Sequence, residues 1–395
     1  MPVPDKQERR DFIKKSAGLA GVAVMPQIPV STDDPEWRNR QPGMAYRRLG
    51  RTNYMVSEIV CGGNTIDPGH NRHVALAVEM GLNYFDTSPH YGGFEGVRGG
   101  SERGFGALLQ GSANREKIFV NTKVSALDRN RGRRMTEIYD AMTHTQQQEF
   151  DKAVEKRIRD GNVTDLDYMV YYKGGGFQMH ELRQSYLGDE LEKWFPDQIN
   201  RRQLYYDTII TSVEESLQRI GTDYLDLLTC PHGANSPNEI QMPEIFEAFE
   251  RLHKAGKVRH LSCSAHSDPA GILLAAAQTG QFSAMMPAFN YINAHYFTEA
   301  LAAAKKADMG IIAMKVARAF DVLSYGSTSP MSFKYQELHK EIPGDMKTPM
   351  KAYLWVLQQP GITAVNSDML SEGHVRENLS LAGRKVVLQN QKPGR

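Results

Sequence analysis

Cysteine is scarce in this chain: Cys61, Cys230 and Cys263 are the three present, and no Cys-x-x-Cys occurs. An odd count without paired spacing argues against a disulfide framework or a zinc ribbon. Each cysteine falls in a short apolar run and reads as a buried thiol. Excess charge of either sign is also missing, with 47 Lys+Arg against 46 Asp+Glu and a net charge of +1. Without a basic excess or stripe, nothing favours a nucleic-acid partner. No apolar run approaches the roughly 20 residues that span a bilayer, so no stable membrane span is expected in the processed chain. No Gly-x-Gly-x-x-Gly follows the first apolar run, which counts against a dinucleotide-binding open sheet; Gly92-Gly93 and Gly99-Gly100 read as loop. No His-x-His closes the first strand, as a metal-dependent barrel hydrolase would need. His70 and His73 are spaced for one helix face and read as a solvated pair, so no metal site is expected.

What is present begins at the N-terminus. Glu8-Arg9-Arg10-Asp11-Phe12-Ile13-Lys14-Lys15 precedes the mildly apolar SAGLAGVAVM. Paired arginines followed by Phe, an aliphatic residue and Lys resemble a twin-arginine export signal. Arg-Arg recurs at 47–48, 133–134 and 201–202, but only the first pair has this continuation. The resemblance implies passage through the twin-arginine machinery to the periplasm or beyond, as a folded protein holding its cofactor. Residues 1–43, with the Pro-rich PQIPVSTDDPEW, are expected to be signal and linker outside the fold.

From residue 44 to 390 short apolar runs alternate with amphipathic stretches. Strands are expected at 56–62, 83–87, 118–124, 224–229, 258–264, 284–290, 310–316 and 362–367, and several of the intervening helices stop at Gly. Eight such units without a composition break predict an α/β fold of the closed (β/α)8 barrel type, and 395 residues suit a barrel with insertions. The rhythm breaks at 128–206. There, TEIYDAMTHTQQQEFDKAVEKRIRDG reads as a polar helix, DYMVYYKGGG as a short strand and turn, and MHELRQSYLGDELEKWF as a second helix. A long segment after the third strand, carrying Tyr168, Tyr171, Tyr172, Phe177, Trp194 and Phe195, reads as a lid or subdomain over the barrel's C-terminal face.

Four polar residues fall at or just past strand ends: Asp86 and Tyr91 in NYFDTSPHYGG, Lys123 in IFVNTKV, and His232 in DLLTCPH. In a parallel barrel these ends converge. Tyrosine is a poor acid at neutrality, and a neighbouring ammonium makes it a better one. Lys123 would serve Tyr91 in this way, Asp86 would hold Lys123, and His232 would bond a substrate carbonyl.

These segments resemble the aldo/keto reductase family. YRRLGRTNYMVSEIVCGG is similar to its opening; NYFDTSPHYGG with GGSERGFGALL, REKIFVNTKV, SVEESLQRIGTDYLDLLTCPH, GKVRHLSCSAH and GITAVNSDMLSEGHVRENL are similar to its successive signatures. The likeness spans roughly residues 46–385. It implies a barrel that binds NADP or NAD and acts on a small-molecule carbonyl or alcohol, with Asp86, Tyr91, Lys123 and His232 as the catalytic tetrad. Cofactor contacts are implied at Gly62, Asn64, Asp86, Ser264, Lys315, Ser371, His374, Glu377 and Asn378. The sequence departs from the family pattern at Ala265, Met286 and Asp368. A carboxylate at 368 would repel a 2′-phosphate but could accept hydrogen bonds from a free ribose diol, so relaxed NADP selectivity or a preference for NAD is expected. The altered nicotinamide contacts keep a second reading open, a cofactor-binding or sensory barrel with reduced chemistry.

Overall fold

The computed structural model describes residues 34–111, 114–161, 163–169, 175–318, 320 and 331–389. Three short strands, β1 (Glu36–Trp37), β2 (Tyr46–Arg48) and β3 (Tyr54–Ser57), form a small sheet of order β1-β3-β2. Eight more close a parallel barrel: β4 (Ile59–Gly62), β5 (Tyr84–Asp86), β6 (Phe119–Lys123), β7 (Leu225–Thr229), β8 (Val258–Ala265), β9 (Ala284–Pro287), β10 (Gly310–Ala313) and β11 (Ala364–Asp368). Each strand pairs with the next in sequence, and β11 pairs with β4 to complete the ring. The expected (β/α)8 barrel is present.

Helices follow the strands. They are α1 (Arg72–Glu79) after β4 and α2 (Gly100–Gln110) after β5; after β6 come α3 (Ala126–Asp140), α4 (His144–Gly161), α5 (Gly175–Trp194) and α6 (Thr208–Ile220). The second half carries α7 (Pro243–Lys254), α8 (Pro269–Thr279), α9 (Thr298–Lys306), α10 (Tyr335–Glu341), α11 (Thr348–Leu357) and α12 (Glu372–Leu379). No described helix is long and apolar enough to cross a membrane.

The period-2 alternation of the strands sorts side chains into two layers. One apolar cluster fills the barrel, including Val60, Tyr84, Phe119, Leu227, Met286, Ile312 and Ala364. The other lies between strands and helices; there Phe85 of β5 stacks on Phe105 of α2 with ring centroids 4.3 Å apart. Cys61, Cys230 and Cys263 are buried free thiols in this outer layer, as their apolar settings suggested.

Two expectations need correction. The run at 56–62 is not one strand. Tyr54–Ser57 pairs antiparallel with Tyr46–Arg48 below the barrel, and the chain enters the barrel wall only at Ile59. Asn83 enforces the switch, because its side-chain oxygen accepts the Ser57 N–H at 2.9 Å while its amide donates to Met55 and Arg38 carbonyls. The boundary at residue 43 also moves. Arg9, Arg10 and the rest of residues 1–33 lie outside the described residues, but residues 34–43 belong to the fold. Glu36 and Trp37 align with Tyr54 and Met55. Arg38 is buried, reaches Asp226 of β7 at 2.9 Å and the Ile118 carbonyl at 2.7 Å, and lies 4.3 Å above the Phe119 ring. This sheet and Tyr54, which stacks on Phe119 at 4.2 Å, make a floor under the strand-start end of the barrel.

The insertion is helical, but its first stretch forms two helices rather than one. Thr143 starts the second: its N–H and hydroxyl both donate to Gln146 Oε1 at 3.0 Å, and its hydroxyl oxygen accepts from the Gln146 N–H at 3.4 Å, a capping box. The expected second helix is α5. The short strand expected after residue 166 is not seen where the chain is described, since 165–169 form turns, and 170–174, with Tyr171 and Tyr172, lie outside the described residues. Tyr168 is buried, donates to Asp268 Oδ1 at 2.5 Å and meets Tyr296 edge-on at 4.8 Å, which ties the insertion to the start of α8. Trp194 is exposed, and Phe195 packs near Phe150 at 5.9 Å.

Candidate active site

Strand parity delivers the central residues. Asp86 lies two positions after inward Tyr84; Asn121 and Lys123 lie two and four after inward Phe119; Asn366 and Asp368 lie two and four after inward Ala364. All five therefore point into the upper barrel. There they meet. Lys123 Nζ lies 2.5 Å from Asp86 Oδ1 and donates to the Thr87 carbonyl at 2.9 Å. Asn121 donates to Asp86 Oδ1 at 2.8 Å, and Asn366 to Asp86 Oδ2 at 3.1 Å. Below them Thr229 donates to Asn121 Oδ1 at 3.0 Å and shares a hydroxyl bond with Ser262 at 2.8 Å, so a hydrogen-bonded belt crosses β5 to β8. Both charges of the Asp86–Lys123 pair are buried, and the belt supplies the bonds such a pair needs out of water. Burial pulls the Lys123 ammonium below its ordinary pKa, while Asp86, Asp368 and Glu102 hold it up.

Tyr91 and His232 complete the set from loops. Lys123 Nζ sits 4.7 Å from the centroid of the Tyr91 ring. The His232 ring meets Tyr91 edge-on, with centroids 5.9 Å apart. His232 Nδ1 bonds Ser125 Oγ at 2.6 Å, and Ser125 Oγ bonds Ser88 Oγ at 2.8 Å; both serines are buried. The four residues singled out from sequence thus converge at one place. Ser88, Ser125, Asn121 and Asn366 were not singled out. Ser88 and Ser125 each stand two residues past a residue that was, in DTS and KVS, and that adjacency was the available signal.

These groups open onto a cavity of about 1060 Å³ at the strand-finish end. Its lining falls into two sides. Gly62, Asn64, Lys315, Arg318, Tyr353, Asn366 and Asp368 form one; helices α3 and α5 of the insertion form much of the other, with Arg129, Arg133 and Glu181 among the residues that face it. Asp368 lies in register with Gly62, beside the tetrad. Burial and Asp86 push its carboxyl up, and Lys315 and Lys123 oppose that.

The remaining sequence-derived positions are distributed differently. Ser264 is buried outside the cavity lining, its Oγ accepting the Gly233 N–H at 2.9 Å and so bracing the loop that carries His232. Ser371 caps α12 by accepting the His374 N–H at 3.3 Å, and His374 Nδ1 accepts the Leu370 N–H at 3.4 Å. Glu377 pairs with Lys347 at 2.7 Å. Asn378 is buried and donates to Ser367 Oγ at 2.8 Å, tying α12 to β11. These four lie beside the β11–α12 turn, off the cavity lining. His70 and His73 hold the same turn: their Nε2 atoms meet the carbonyls of Leu370 and Met369 at 3.1 and 2.6 Å. They are engaged in structure, not a solvated pair.

Comparisons with known proteins agree with the geometry. The family model described as "Aldo/keto reductase family" matches residues 61–173 and 191–389. The aldo-keto reductase AMT2 of Alternaria alternata is 27% identical over 268 residues, covering 65% of this chain and 59% of that protein. The oxidoreductase YdhF of Escherichia coli is 42% identical over 59 residues, 15% of this chain and 18% of its own length. The matches thus span less than two thirds of these curated relatives. Among solved structures, the aldo-keto reductase AKR11C1 of Bacillus halodurans in its holo form superposes with a TM-score of 0.56 at 17% identity, covering 88% of this chain and 93% of that one; its apo form gives 0.54 at 18%. At that identity the likeness speaks for the barrel alone. With the family model matched along more than half its length, the chain belongs to the aldo/keto reductase family.

Proposed function

We propose that this protein is an oxidoreductase that transfers hydride between NAD(P)H and a small carbonyl or alcohol. The observation that carries the proposal is the convergence of Tyr91 with the buried Lys123–Asp86 pair and His232 at the floor of one cavity. When bound, a reduced nicotinamide supplies hydride to the carbonyl carbon. The C=O π electrons then move to oxygen, which takes a proton from Tyr91 Oη. The Lys123 ammonium stabilises the negative charge left on the tyrosine oxygen, and Asp86 holds that ammonium in place. His232 donates to the carbonyl oxygen and orients it. In the oxidation direction the same groups run in reverse, with Tyr91 taking the proton.

The chain's own residues suit the cofactor. Asn366 Oδ1 is buried without a hydrogen-bond partner, beside Asp86 on the wall where a carboxamide would lie. That acceptor stands in for the amides the family carries where this chain has Ala265 and Met286. Lys315 and Arg318, on the same wall, would hold the phosphates. Asp368 lies beside Asn366 and the tetrad, at the nicotinamide end, and supplies no basic side chain for a 2′-phosphate at the adenosine end, so no preference for NADPH is expected. Fluorescence titration of both reduced cofactors checks it; clearly tighter NADPH would overturn it.

Tyr91→Phe tests the main proposal. Aldehyde-dependent NAD(P)H oxidation should fall by about 10²–10⁴-fold, with cofactor affinity retained. The second reading, a binding or sensory barrel, is favoured by the apolar Ala265 and Met286; it predicts no turnover in the wild type and unchanged ligand response in the variant.

We also propose export through the twin-arginine pathway, on the strength of Arg9-Arg10 and the residues after them. Cell fractionation should find the wild type outside the cytoplasm and an Arg9→Lys/Arg10→Lys variant inside it; equal distribution would overturn the proposal.

A further inference from the structure

The insertion wall of the cavity carries many charges, and its acids and bases differ in how they are used. Glu239 is consumed: it pairs with Arg131 at 2.9 Å and accepts the Asn235 N–H at 2.7 Å. Glu137 pairs with Arg134 at 2.9 Å. Burial, with Glu239 and Glu181 nearby, pushes the Asp128 carboxyl far up, away from its charged form. Asp140 is exposed, at the last turn of α3.

The cations are different. Arg129 and Arg133 sit one turn apart on α3, both exposed and both lining the cavity. Neither is ion-paired with an acid among the described residues: Arg133 donates to the Asn130 amide oxygen at 2.7 Å, and Arg129 abuts His90 Nε2. Partial burial first, and then Arg98 and Arg133 nearby, disfavour charge on Arg129. His90 neighbours Tyr91 in sequence, and its ring lies 6.5 Å from that of His232. Like charges gathered beside the reacting groups, with no acid ion-paired to either guanidinium among the described residues, oppose folding and are relieved when an anion enters.

We propose that the substrate carries an oxyanion, a carboxylate or a phosphate, held by Arg129 and Arg133 while its carbonyl lies at Tyr91 and His232. Guanidinium groups present paired N–H donors that match either anion. The division of contacts follows from the architecture: the insertion reads the anion and the barrel reads the carbonyl. This inference rests on the reductase reading for the position of the carbonyl, but not for the presence of the anion site.

Three aldehydes of similar shape test it: 4-carboxybenzaldehyde, 4-formylphenyl phosphate and the neutral methyl 4-formylbenzoate. In the wild type, kcat/KM for at least one charged aldehyde should exceed that of the ester by about tenfold or more, mainly through KM. In Arg129→Met/Arg133→Met the ratio should approach one. Whichever anion shows the larger ratio identifies the group the site prefers. A ratio near one in the wild type, or a preference that survives in the variant, overturns the proposal. Should no aldehyde be reduced, the reductase reading fails by itself, and calorimetric titration with terephthalate, an unreactive dicarboxylate, reads the anion site directly. Saturable binding that the double variant loses supports the site; absent or unchanged binding overturns it.

Discussion

Two serine hydroxyls stand behind His232 and decide which way its ring presents a proton. If Ser125 donates to Nδ1, the proton of the neutral ring resides on Nε2, the nitrogen that would donate to a substrate oxygen. Ser88 completes the chain by bonding Ser125 and accepting the His90 N–H at 3.1 Å. Ser125→Ala should therefore lower kcat by roughly tenfold with little change in KM and alter the pH profile, while Ser125→Thr should recover part of the loss. Steady-state kinetics across pH check this, and a uniform loss of folded protein would point to a structural role instead. At this scale the sequence was readable where chemistry and position coincided. Asp86 and Lys123 close strands, and the loop after Asp86 carries Tyr91, so their roles could be inferred. Asn121 and Asn366 could not, because an amide within a strand signals neither face nor partner until the parity of the inner layer is known. Ser264 looked like a cofactor contact by position; in the fold its hydroxyl oxygen accepts the Gly233 N–H, a role that position in sequence does not reveal.

One guanidinium gathers the insertion's buried carboxylates and joins them to the segment after β7. Arg131 of α3 reaches Asp189 and Glu192 of α5 at 2.8 and 2.7 Å and Glu239 at 2.9 Å, and all four residues are nearly or fully buried. Arg157 and Arg201 add bonds to Asp189 and Glu192 at 2.7 and 2.6 Å. Removing the hub strands carboxylates out of water. Arg131→Met should cost about 3–5 kcal/mol of stability, with faster amide exchange in α3 and α5 than in the barrel strands. Thermal unfolding with hydrogen exchange measures both, and an unchanged melting temperature would count against the hub. The two-helix form of the insertion's first stretch was within reach of the sequence: Thr143 and Gln146 have capping-box spacing. The signal was hidden by helix-forming residues on both sides, with no Gly or Pro to mark the break. The split of the first strand was less accessible, since Ser57-Glu58 between two apolar runs carries no Gly or Pro to mark a break and the switch depends on Asn83 from another element.

For the molecule as a whole, the barrel was legible because eight repeats of strand and helix leave few other ways to bury every strand on both faces. The floor was not, because Glu36-Trp37-Arg38 is three residues long and follows a Pro-rich stretch that reads as linker. It also holds a titration. Burial, with His253 and nearby arginines, lowers the His260 pKa to about 4, so this imidazole stays neutral in the folded protein well below its ordinary value of 6.5. Between those values the unfolded chain takes up a proton that the folded chain refuses, and stability falls as pH falls through that window, by at most about 3 kcal/mol. His260→Gln should flatten this acid limb of a melting-temperature profile; an unchanged slope would assign the acid sensitivity to other groups.

The same floor gives the molecule a direction. Strand β1 is fastened at the end of the barrel where the strands begin, and the cavity opens where they finish. Residue 34 therefore sits on the underside, away from the mouth. A protein fixed to a surface through that point would stand with its mouth turned to the bulk liquid, its entrance unshadowed by the attachment.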